Sequence, residues 1–70
     1  MIELNGAFIR DFRAKYEMSR EELARELWVS PTTVWRWEHD RTKPSGLAGS
    51  RFLALIQEKK AQDKARIMEE

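Results

Sequence analysis

Two helix starts stand close together in this chain, and the short stretch between them leaves little freedom of fold. Ser19 followed by Glu22 is a capping box, in which the serine oxygen accepts from a first-turn N–H and the glutamate reaches back to the cap's own N–H. Ser30-Pro31 is a second start, with Ser as cap and Pro at the first helical position, where its missing N–H costs nothing. Between them Leu23, Ala24 and Leu27 fall on one helical face and Glu21, Glu22, Arg25 and Glu26 on the other. Trp28-Val29-Ser30 is too short for anything but a turn. The spacing predicts two short helices joined tightly, the second running from Pro31 to about His39 with Val34 and Trp37 inward and Arg36 on the opposite face.

The remaining chain supplies what that pair packs on. From Ala7, behind a cap at Asn5, the residues Phe8, Ile9, Phe12 and Tyr16 recur at helical spacing until Glu17 and Met18 break the pattern. Asp40 to Gly46 carries loop chemistry around Pro44. A final helix carries Leu47, Phe52, Leu53, Leu55 and Ile56 and turns polar at Gln57; Gly49-Ser50 leaves its start open to as late as about Ser50. With neither strand-like alternation nor an internal repeat, the expected fold is all-α, a four- to five-helix unit. One domain over residues 1–70 is expected, with a core over about 7–57 and a charged helical or frayed tail over 58–70.

Composition narrows the function. Seventy residues leave no room for a second catalytic domain, and the absence of Cys removes thiolate metal sites and disulfides. His39 is the only His and has no convergent carboxylates, and no Gly-rich phosphate loop is present, so nothing points to an enzyme and no cofactor is expected. No apolar run approaches the ~20 residues of a membrane helix and Met1 to Asn5 lacks the marks of a signal peptide, so a soluble cytoplasmic protein is expected. The net charge of +1 does not announce a nucleic-acid binder. Its distribution says more: Pro31 to Arg51 holds four basic residues against two acidic, a local basic patch around the second helix of the pair.

The run from Ile9 to about Ile56 resembles the Xre, or lambda Cro and repressor, type of helix-turn-helix. The resemblance rests on Ser19, Glu21, Glu22, Leu23, Ala24, Leu27, Val29, Ser30, Pro31, Thr33, Val34, Trp37 and Glu38. The sequence Arg41-Thr42-Lys43-Pro44-Ser45-Gly46 before an apolar helix is similar to small domains of bacterial antitoxins and stand-alone regulators. What the resemblance implies is a lambda-repressor-like fold, binding to double-stranded DNA as a homodimer, and transcriptional regulation. An antitoxin-type module with a toxin partner is the alternative.

By position, the resemblance implies base contacts from Pro31, Thr32 and Arg36, a phosphate contact from Arg20, and an ion pair between Arg13 and Glu38. Arg41 and Lys43 are expected to join Arg20 on phosphates. Thr33 either contacts a base or stabilises the helix start. Trp35 packs on the DNA backbone or a base step, joins a dimer contact, or folds back over Trp28. Two positions depart from the family pattern, because Trp28 and Asp40 stand where Gly is usual. A Trp there is expected to cost ~1 kcal/mol unless its ring is buried, whereas Asp tolerates the left-handed region.

Overall fold

Each of the first three helices begins on a side-chain cap and ends on a left-handed residue. The computed structural model describes the backbone over residues 3–69 and side chains as far as residue 64. Its helices are α1 (Gly6–Lys15), α2 (Arg20–Leu27), α3 (Pro31–Glu38) and α4 (Gly46–Glu69). Asn5 accepts from the Phe8 N–H at 2.8 Å. Ser19 accepts from the Glu22 N–H at 3.0 Å while Glu22 accepts from the Ser19 N–H at 2.9 Å, and Ser30 accepts from the Thr33 N–H at 3.2 Å.

The three closures share one geometry. Glu17, Trp28 and Asp40 take φ of 53°, 58° and 55°. The residue after each returns an N–H across the last turn: Met18 to the Arg13 carbonyl at 2.9 Å, Val29 to Ala24 at 3.0 Å, Arg41 to Arg36 at 2.9 Å. This is the Schellman closure, in which Gly is the usual left-handed residue. Here none of the three is Gly, so each pays a steric cost of roughly 1–2 kcal/mol that other contacts must offset.

Helix α4 starts at Gly46 rather than as late as Ser50. Gly49 is buried against Pro44, where a Cβ would stand 3.4 Å from that residue's carbonyl, and Ala48 packs on the core. The loop lies on the first turn of α4 at ordinary contact distance, and the helix runs through Gly49 despite the roughly 1 kcal/mol that a helical Gly costs. The helix then continues through Glu69.

The core is built from Ile9 and Phe12 of α1, Leu23, Ala24 and Leu27 of α2, Val34 and Trp37 of α3, and Phe52, Leu55 and Ile56 of α4. Phe52 is its centre: its ring meets Phe12 edge-on at 5.4 Å, Phe8 at 6.3 Å and Trp37 at 6.4 Å, separations at which aromatic pairs attract. Two of the apolar residues of α4 stay outside it, since Leu47 and Leu53 face solvent. Farther along α4, the Tyr16 hydroxyl donates to Asp63 at 2.7 Å and ties the helix to the end of α1. Among the described residues no helix is long and apolar enough to cross a membrane.

Candidate nucleic-acid interface

What fixes α3 in place is a buried carboxylate. Val34 and Trp37 set its inner face by packing, and Glu38, fully buried, sets its end by charge. Arg13 of α1 grips both oxygens of Glu38, from Nε at 2.5 Å and from Nη2 at 3.2 Å, and also donates to the Met18 carbonyl at 3.1 Å. Arg20 of α2 donates from Nε to the same carboxylate at 2.9 Å. Burial pushes the Glu38 carboxyl up, but the hydrogen bonds and charges of Arg13 and Arg20 outweigh it and hold the group below the usual carboxylate range. The Glu38 carbonyl accepts from Arg10. One residue therefore joins three helices.

The turn before α3 is held differently from what the sequence suggests. Trp28 adopts the left-handed conformation and is 75% exposed as a residue, so burial in the core does not offset its strain. Instead the Arg51 guanidinium of α4 lies 3.6 Å from the ring centroid, a cation–π contact that covers one face of the indole. Asp40, at the other unusual position, accepts the Gly6 N–H at 2.8 Å and so caps the start of α1.

With one face locked, α3 turns the other outward. Thr32 and Arg36 are exposed one helical turn apart, and His39 follows on the same line. Thr33 lies to one side, its hydroxyl 3.0 Å from that of Ser30. Trp35 lies to the other side. It does not fold over Trp28; its ring stacks on His39 with centroids 4.1 Å apart, and the Arg41 guanidinium stands 5.8 Å from its centroid.

Arg20, Glu21, Pro31, Thr32 and Trp35 line a shallow groove of about 290 Å³ between the starts of α2 and α3. The structure thus gathers Arg20, Pro31, Thr32 and Trp35, places Arg36 on the adjoining face and Arg41 behind Trp35, and leaves Lys43 farther along the exposed loop. Arg20 reaches this groove while bonded to Glu38, so it is part of the scaffold as well as of the surface. The sequence places His39 at the end of this helix with no metal or catalytic role; its stack on Trp35 was not expected, although the four-residue spacing was the available signal. Arg51 was passed over, and no local signal joins it to Trp28.

The family model described as helix-turn-helix matches residues 9–48, which take in α1 from Ile9 onward, all of α2 and α3, the loop and the first three residues of α4. No curated protein and no solved structure matches the chain significantly.

Proposed function

This chain belongs to the helix-turn-helix family of the Xre and lambda Cro type, and we therefore propose that it is a sequence-specific transcriptional regulator that reads the major groove of DNA with α3. The observation that carries this reading is the division of α3 into two faces. Val34, Trp37 and Glu38 are buried, and Thr32 and Arg36 are exposed on the opposite face. A helix held that way presents a fork of guanidinium donors suited to guanine O6 and N7. Pro31, Thr32 and Thr33 begin the same helix beside it, and Arg20, Arg41 and Lys43 flank it as phosphate contacts. Two chains related by a two-fold axis would set their α3 helices about 34 Å apart on successive turns of the groove.

The test is operator selection from a random duplex library, followed by titration at several salt concentrations. Arg36→Ala is expected to weaken the selected operator by about 1–3 kcal/mol and relax preference at one position. Arg41→Ala and Lys43→Ala are expected to weaken all sequences alike and each to lower the salt slope by about one. A library that yields no preferred sequence refutes the regulator reading.

An antitoxin-type role is favoured by one observation, the exposure of Leu47 and Leu53 on α4. The two leucines are six residues apart and lie about 120° from each other around α4, so a partner would cover them only by wrapping part of the helix. Leu47→Ser with Leu53→Ser would then abolish binding of a candidate toxin and leave operator binding intact.

A further inference from the structure

We infer that Trp35 and His39 form a fixed aromatic plate that recognises the 5-methyl group of a thymine at the edge of the major groove. The inference rests on the DNA-binding reading above and adds a base contact to it. Trp35 is 37% exposed and lines, together with Pro31 and Thr32, the groove beside the outward face of α3. His39 holds it there. The two rings lie 4.1 Å apart at an angle of 24°, and His39 Nδ1 is 2.8 Å from the Trp35 carbonyl. A carbonyl only accepts, so Nδ1 carries the proton and the imidazole is anchored to the backbone of the residue on which it stacks. Arg41 stands beyond the indole at 5.8 Å and restricts it further.

An aromatic ring fixed beforehand loses little entropy when a ligand meets it. What remains available is mostly apolar. Among the features of the base pairs in the major groove, the one apolar group is the thymine methyl, which suits the carbon atoms that make up most of the plate; its polar ring atoms outside the His39–Trp35 bond are two, the indole Nε1–H donor and the imidazole Nε2 acceptor. Packing on a deoxyribose would also bury this edge, but sugars are alike in every sequence and would give no preference.

The experiment uses the full chain and its selected operator, with each thymine replaced in turn by deoxyuridine, which deletes only the methyl. Loss of the recognised methyl is expected to weaken binding about fourfold, the value of one buried methyl-sized group. In Trp35→Ala that sensitivity disappears, in Lys43→Ala it is retained, and in His39→Ala it shrinks while His39→Phe, which keeps the stack, restores it. A melting curve for each variant confirms that the fold is kept, as expected for exposed positions. Insensitivity of the natural chain at every thymine overturns the proposal. So does a methyl effect that persists unchanged in Trp35→Ala, which would assign it to Thr32. Failure to select any operator overturns both this proposal and the reading beneath it, whereas a selected operator without a Trp35-dependent methyl effect overturns this one alone.

Discussion

Gly6 shows how little space some single positions allow. A Cβ added there would stand 2.3 Å from the Glu38 carbonyl oxygen and 2.8 Å from its carbon. Both are backbone atoms at the end of α3, and neither can rotate away. The missing side chain lets the end of α3 sit directly on the start of α1, where Asp40 then reaches the Gly6 N–H. Gly6→Ala would ordinarily favour a helix, but here it is expected to destabilise the fold by about 1–3 kcal/mol as the two helices are forced apart. Thermal unfolding measures this directly, and an unchanged or raised midpoint would mean that the two helices have room for a methyl group between them.

At the scale of the element, the three Schellman closures separate the cost of a left-handed residue from what offsets it. Glu17 is exposed, and Glu17→Gly is expected to stabilise by roughly 0.5–1 kcal/mol. At Trp28 the same change also removes the contact with Arg51, worth about 0.5–1 kcal/mol at so exposed a site, so the net effect should lie close to zero. A double-mutant cycle of Trp28→Gly with Arg51→Ala isolates that contact by urea unfolding. A coupling of about 0.5–1 kcal/mol is expected, and none would show that the stack contributes nothing to the turn.

For the whole molecule Glu38 is the point where α1, α2 and α3 are held together by charge. Its pKa lies below the ordinary value in the folded chain because Arg13 and Arg20 outweigh its burial. A carboxylate of that kind contributes stability that is full above the unfolded-chain pKa of ~4.3 and is lost as pH falls through the lower folded value. Glu38→Gln is expected to cost about 2–3 kcal/mol at pH 7, less than a fully buried triad because both arginines keep some access to water. It should also flatten the fall in stability below about pH 4.3. Part of the fall would remain, since Glu22, held down by its bonds from the Ser19 backbone and then the Ser19 hydroxyl, titrates in the same direction. Melting curves of both proteins from pH 7 to pH 3 test this, and parallel curves would remove Glu38 from its central role.

Much of this architecture could be read locally. Asn5, Ser19 with Glu22, and Ser30 with Pro31 mark helix starts through bonds that span three residues, so the chain near each cap contains all the necessary information. Periodicity likewise put Val34 and Trp37 inside and Arg36 outside. The Arg13–Glu38 pair was legible only through the family pattern, and the entry of Arg20 into it was not. Nor did sequence show that Trp28 would rest under Arg51, that Leu47 and Leu53 would face solvent, or that α4 would begin at Gly46 with Gly49 against Pro44. Those outcomes depend on which helix crosses which, and the partners are far apart along the chain. Local bonds determine where each helix begins, and only packing in three dimensions decides what each exposed or strained side chain meets.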